Sequence, residues 1–321
     1  MSPDRRAIST VIDVTLCLAL VSAAVLTIAV VAETDEADPG PERAEQTAEL
    51  LGATTTSVEY SVRPVTAHDE FDADPIGTSA AYERTDHGPV AGLLASAAVA
   101  NAEIDGYRLT RAGEDYEAGL DGVLSETSAT VDGTVHVTAV WQPYEGSSIR
   151  GEATAGPEPP AEADVSSATI TVPSGVDQPD ETELREAYAQ EYETLAQVVA
   201  SAVVEGYFPP EETQLTLERQ GVERQLIEYR YRRAVTALDG IERYDVDDEI
   251  SRTDADATAA NDEIAAALAE EVVASELSDA LDREIDSSVE TSRSDADRIA
   301  QATDELLTSG EVTIVVRTWG A

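Results

Sequence analysis

The sequence predicts an α+β protein. An N-terminal transmembrane helix leads into an extracellular domain with a small antiparallel sheet and several long amphipathic helices, closing with a C-terminal strand. Three observations predict it. Val14 to Ala32 runs 19 positions without a charge, ten of them Leu, Ile or Val. From Thr130 to Val172 apolar and polar residues largely alternate, the period of half-buried strands. From Leu184 to Leu306 apolar residues recur every three or four positions, the period of helices, and Val312 to Trp319 is rich in β-branched residues.

Charge sets the environment. The 321 residues hold 65 acidic and 20 basic side chains, a formal net charge of −45, and every basic residue is Arg. Self-repulsion on that scale destabilises a compact chain at low salt. In molar salt the Debye length falls to about 3 Å and the repulsion is screened. The acids are spread over the whole chain, so they read as the solvated surface of an extreme halophile rather than as an acidic tail. No basic footprint for nucleic acid is present. The single cysteine, Cys17, lies inside the apolar run, which excludes an intramolecular disulfide. Leu16 precedes it where a lipoprotein signal needs a small residue, so Cys17 reads as a membrane-buried apolar side chain.

The apolar run as a helix is about 29 Å long at ~1.5 Å per residue, close to the ~30 Å hydrocarbon core of a bilayer. Its ten large aliphatics favour insertion by roughly 3–6 kcal/mol. Arg5 and Arg6 precede it, and Glu33, Asp35, Glu36 and Asp38 follow. This arginine bias places residues 1–6 in the cytoplasm, 7–32 across the cell membrane in a single pass, and 33–321 outside. The competing reading is a secretory signal cleaved after Val30-Val31-Ala32. Residues 33–54 are acidic and contain Pro39-Gly40-Pro41, the composition of a short stalk.

Arg6-Ala7-Ile8-Ser9-Thr10-Val11-Ile12-Asp13-Val14-Thr15-Leu16 resembles the start of haloarchaeal type IV pilins, with Ile8, Thr10 and Asp13 where those have Val, Pro and Gly. The resemblance covers about 25 residues at the N-terminus. It implies cleavage by a prepilin peptidase near Arg6 and Ala7 and packing of the helix into a filament core. Arg6, Ala7 and Asp13 are then the candidate processing or assembly residues. The bland alternative is a plain signal anchor with Asp13 at the membrane surface.

The remainder divides into an α+β lobe over 55–178 and a helical lobe with a C-terminal strand over 179–321. The first lobe reads as a strand at Thr54–Val62, an Ala-rich helix within Pro89–Ile104, a strand at Tyr107–Arg111 and a short helix around Tyr116–Leu124. A three-strand meander follows at Val135–Trp141, Ile149–Ala155 and Ser166–Val172. The second lobe reads as a six-turn helix from Leu184 to Val203, a helix from Glu211 to Leu238, a long helical pattern over Ala257–Val289 and a shorter one over Asp295–Leu307. A strand after so much helix is expected to return to the sheet.

The helix from Glu211 carries Arg219, Arg224, Arg230, Arg232 and Arg233, with Arg243 just beyond, the one basic cluster of the chain. These five are candidate partner contacts. The cluster has three readings: pairing with acids of neighbouring helices, docking on an acidic neighbour, and binding anionic lipid or glycan. Exposed pairs count for little, and less in salt, so burial must supply most of their worth.

Other motifs carry less. His68 stands among Asp69, Glu70, Asp72 and Asp74 without the glycine and spaced ligands of a calcium loop, and reads as a solvated acidic loop. His136 lies mid-strand without a partner. Gly146 to Gly151 misses nucleophile-elbow spacing by one residue. No HExxH, P-loop, dinucleotide fingerprint or cysteine-based metal site occurs in the sequence, so no catalytic, cofactor or metal residue is assigned. Nor is a small-molecule substrate evident. The expected function is that of a membrane-anchored haloarchaeal surface protein, a pilin-like or pseudopilin subunit or an accessory component of a type IV pilus-like system, with other pilin-like subunits or surface proteins as partners. The alternatives are a plain signal-anchored extracellular binding module and an anchored hydrolase, for which the many carboxylates offer no spacing that selects an acid–base pair.

Overall fold

The computed structural model describes residues 41–71, 77–110, 113–129, 133–251, 254–287 and 295–320. The expected transmembrane helix over 7–32, with Arg6, Ala7 and Asp13, lies outside the described residues. Among the described residues no helix is long and apolar enough to cross a membrane.

The fold is α+β. Helix α1 (Pro41–Ala53) comes first. Ala44, Thr47, Ala48 and Leu51 form its buried stripe, at helical spacing, and it packs on the sheet described below. This corrects the stalk reading for its part from Pro41 onward, and residues 33–40 lie outside the described residues. Composition hid a one-sided apolar stripe, and Pro41–Ala53 belongs to the domain. Strands β1 (Thr55–Ser61) and β2 (Glu83–Pro89) pair as an antiparallel ribbon with Tyr60 opposite Arg84.

Helix α2 (Val90–Ala100) is Ala-rich, with Leu94, Ala97 and Ala98 fully buried. Short strands β3 (Glu103–Ile104) and β4 (Tyr107–Arg108) follow, then α3 (Gly113–Ser128), β5 (Thr134–Trp141), β6 (Ile149–Ala155) and β7 (Val165–Pro173). The chain ends in β8 (Glu311–Trp319). The six-stranded sheet has the order β4-β3-β6-β5-β8-β7, all antiparallel. The last strand thus returns to the sheet between β5 and β7, with Ile314 facing Ala139 on one side and Ile170 on the other. Its Val312, Ile314 and Val316 are wholly buried.

That order corrects the meander, because β7 does not lie beside β6. Gly156-Pro157-Glu158-Pro159-Pro160, with three prolines, cannot close a tight hairpin, and two strands, β5 and β8, lie between β6 and β7. β7 is half-exposed throughout and suits the edge, whereas the β-branched β8 suits the interior.

The helical half contains two breaks that the periodicity does not show. The expected six-turn helix is α4 (Glu181–Gln190) and α5 (Tyr192–Tyr207), parted at Glu191, whose backbone is extended (φ −158°, ψ 156°). Asp180 caps α4, its carboxylate accepting from the N–H groups of Thr182 and Glu183. The expected helix from Glu211 is α6 (Pro210–Leu217) and α7 (Val222–Thr236), parted at Gly221, whose φ of +121° favours glycine. The break leaves Leu215 55% exposed. Helices α8 (Arg243–Ser251), α9 (Ala257–Leu268), α10 (Ala274–Ser287) and α11 (Asp295–Leu306) complete the element set, with a π-helical turn at Ala269–Val273 joining α9 to α10.

One core spans both expected lobes, since Leu94, Trp141, Leu195 and Leu281 belong to a single buried cluster. Helix α2 approaches the sheet over Gly151 of β6, where a Cβ would overlap the Ala98 carbonyl oxygen. Gly151→Ala should therefore destabilise the protein by about 1–3 kcal/mol, read as an earlier chemical-denaturation midpoint in molar KCl.

Candidate functional site

The basic cluster on α7 turns inward. Arg232 and Arg233 are only 7% and 6% exposed. Arg232 Nε donates to Asp247 at 2.8 Å, and Arg224 Nε to Glu228 at 2.7 Å. Arg224 also donates to the carbonyls of Leu217 at 2.6 Å and Ile250 at 3.1 Å, closing the break between α6 and α7 and tying both to α8. Arg243 pairs with Asp247 at 3.0 Å.

Arg233 reaches a different partner. Its Nη1 donates to Glu70 at 2.8 Å, its Nη2 to the Arg108 carbonyl, and its guanidinium lies 4.1 Å from the Tyr107 ring centroid. The Tyr107 hydroxyl donates to the same Glu70 oxygen at 2.9 Å. Burial acts to raise the Glu70 carboxyl. Hydrogen bonds from its own backbone N–H, from Tyr107 and from Arg233 outweigh burial and hold its pKa below the usual carboxylate range. Glu70 is thus a fixed ion-pair partner, which corrects the solvated-loop reading for this residue. Phe71 beside it is buried against Tyr229.

Partner contact is corrected in the same way. Arg224, Arg232 and Arg233 are paired with carboxylates of the chain itself, because a helix covered on several sides must neutralise the charges it carries inward, and Arg230 is held by the Tyr207 carbonyl and two aromatic rings. Of the five candidates only Arg219 is exposed.

A cavity of about 270 Å³ opens between the β1–β2 ribbon, α2, α3 and α7. Tyr60 and Tyr116 meet edge to face, ring centroids 4.7 Å apart, and Tyr207 and Tyr229 add two more rings. The Tyr60 hydroxyl donates to Asp86 at 3.4 Å. Burial first, then the Asp86 carboxylate, push its pKa up to about 12. Tyr116 donates to the Leu93 carbonyl at 3.3 Å, and burial raises it as well. Arg84 Nη2 reaches Glu223 at 2.5 Å, an ionic contact without hydrogen-bond alignment. Arg230 Nη2 donates to the Tyr207 carbonyl at 2.6 Å, and its guanidinium lies 4.4 Å from the Tyr207 centroid and 5.2 Å from that of Phe208. The lining combines aromatic faces with a few polar and charged side chains, the make-up of a small-molecule site.

Residues 12–319 match a family described only as a family of unknown function, DUF7284. The chain belongs to that family. No curated protein and no solved structure matches it significantly. The DUF7284 match begins at residue 12, two positions before the uncharged run, and ends in β8, so it takes in that run and the folded domain.

The other sequence candidates have structural places. His136 is buried, its Nδ1 donating to the Gly156 carbonyl at 3.0 Å and its Nε2 meeting the Thr138 hydroxyl at 3.3 Å. Ser147 and Ser148 hold a turn: the Ser147 hydroxyl accepts from the Ile149 N–H at 3.1 Å, and the Ser148 N–H donates to Glu276 at 3.1 Å. Among the described residues no group of three His, Cys, Asp or Glu side chains is placed to hold a metal ion. Sequence reasoning missed the cavity. Its residues come from separate elements, and no local repeat in the sequence links them.

Arg233→Ala strands the Glu70 carboxylate and should cost about 3 kcal/mol in denaturant titrations. Arg219→Ala, on the surface, should stay within about 0.5 kcal/mol. Because the Glu70 pKa is lower folded than unfolded, its contribution is complete above the unfolded value near 4.3 and is lost as pH falls through the folded value. The stability gap between the native protein and Glu70→Gln should accordingly narrow across that acid window, as followed by circular dichroism; a constant gap would refute the assignment.

Proposed function

We propose that this DUF7284 protein is a membrane-anchored surface protein of a salt-loving cell, a pilin-like or pseudopilin subunit or an accessory component of a type IV pilus-like system. The observation that carries this reading is the uncharged run Val14–Ala32, bracketed by Arg5 and Arg6 before it and by acids after it, and entered through the pilin-like Arg6-to-Leu16 segment. The family match, which begins at residue 12, supports treating the run and the domain as one unit. The spacing supports it as well. Residues 33–40 alone separate Ala32 from Pro41, where α1 begins, and eight residues reach at most about 28 Å, so the domain is tethered within a bilayer's thickness of the surface. Arg6 and Ala7 flank the processing site in this reading, and Asp13 takes part in assembly. The acid-rich surface keeps the displayed domain soluble in molar salt.

A plain anchored binding module is the second reading. The tyrosine-lined cavity favours it, since a purely structural subunit has no need of one.

Expression in a halophilic host, membrane fractionation and N-terminal sequencing test both. The expected result is membrane-bound protein beginning at Ala7. An intact Met1 with membrane retention removes the pilin-like reading and leaves the anchored module. A soluble product beginning at Glu33 removes the anchor.

A further inference from the structure

We infer that the cavity beneath α7 binds a small organic carboxylate with a planar apolar body, held by Arg230 and the Tyr207 hydroxyl. The argument starts from charge. Arg84, Arg224, Arg232 and Arg233 each have a carboxylate partner: Glu223, Glu228, Asp247 and Glu70. Arg230, at the cavity wall, has none among the described residues. One of its five N–H groups goes to the Tyr207 carbonyl, and its faces lie on two aromatic rings. In a chain with 65 acids, a scarcity of carboxylates does not explain this.

Tyr207 makes the second observation. It is 5% exposed and lines the same cavity, and its hydroxyl lies beside the Arg230 guanidinium without an aligned hydrogen bond to it or to any other described group. Buried polar groups almost always have a partner, so an orphaned hydroxyl beside an unneutralised guanidinium marks where an acceptor belongs. A carboxylate fits, because it accepts from a guanidinium fork and from a hydroxyl at once. The tyrosine rings, with Val62 and Leu226, offer faces to a flat apolar body. A doubly charged phosphate does not fit, because Asp86 and Glu223 share the lining and only Arg230 lacks a counter-charge. A neutral sugar leaves that charge unmet. The volume, about 270 Å³, sits near the lower end for ligand sites. Ser96 and Glu223 are exposed, so the cavity reaches solvent. The inference does not depend on how the N-terminus is processed.

Benzoate is the probe, titrated by equilibrium dialysis against the full-length protein in detergent and molar KCl. The expected result is saturable binding of one benzoate per chain, with benzamide failing to compete. Arg230→Gln should weaken binding at least tenfold, and Tyr207→Phe several-fold. Tyr207→Phe removes one orphaned oxygen and keeps the ring, so it should melt no lower than the native protein and decides the matter should Arg230→Gln fail to fold. Absence of saturable binding, equal competition by benzamide, or native affinity in Tyr207→Phe overturns the inference. Binding that appears only when sulfate replaces chloride also overturns it and assigns the site to chloride.

Discussion

Everything in the domain depends on β8 lying between β5 and β7. Those two strands have no ladder with each other, so the sheet is continuous only through the last strand of the chain. The helical excursion leaves the sheet after Pro173 and returns at Glu311. Its ends are clamped at one point: the Ser174 N–H donates to the Gly310 carbonyl at 2.9 Å, and the Ser174 hydroxyl to the Ser309 carbonyl at 2.6 Å. Trp141, on β5, donates its indole N–H to the same Ser309 carbonyl at 2.8 Å. These contacts join residues more than a hundred positions apart, so their closure entropy must be met before the sheet gains anything. The helices and the sheet are therefore thermodynamically one unit, in keeping with their single core.

The charge imbalance shapes where ion pairs are useful. A net charge of −45 repels itself at low salt, and concentrated salt that screens this repulsion also screens exposed pairs almost completely. A pair retains its strength where water and ions are kept out. Arg232 with Asp247 and Arg233 with Glu70 occupy such places, and they tie α7 to α8 and to the loop after β1. The use of Arg alone follows the same logic, since a planar fork can meet a carboxylate, a carbonyl and an aromatic face together, as Arg233 does.

Most strands and the long helical runs were readable in the sequence because each rests on a local repeat, whereas Glu83–Pro89 and Arg243–Ser251, with few apolar residues, were not. Val135 to Trp141 and Val312 to Trp319 carry that repeat plainly. The strand order was not readable, since the choice of β8 over β6 as a neighbour for β7 is made by burial across the whole sheet. The break at Glu191 was not readable either: Tyr188, Tyr192 and Leu195 keep helical spacing through it, and tertiary packing overrides them. Gly221 was a visible signal that periodicity masked. The arginines of α7 were recognisable as a group, but the direction of each depends on which acid another element presents. The cavity was hidden for the same reason, with Tyr60, Tyr116, Tyr207 and Arg230 lying on four elements.

Helix α7 is unusual in having charge on several covered faces at once. Arg224 and Arg232 serve α8, Arg233 serves the loop carrying Glu70, and Arg230 faces the aromatic cavity. Burying a guanidinium costs several kcal/mol before partners repay it, and an apolar residue of similar volume often stabilises as well or better. For Arg224, Arg232 and Arg233 the carboxylates make that exchange close to even. For half-buried Arg230 the compensation among the described residues is the Tyr207 carbonyl and two aromatic rings, with no carboxylate beside them. A charge held against that cost, beside an unpaired hydroxyl and at a cavity open to solvent, is accounted for by something that arrives from solution.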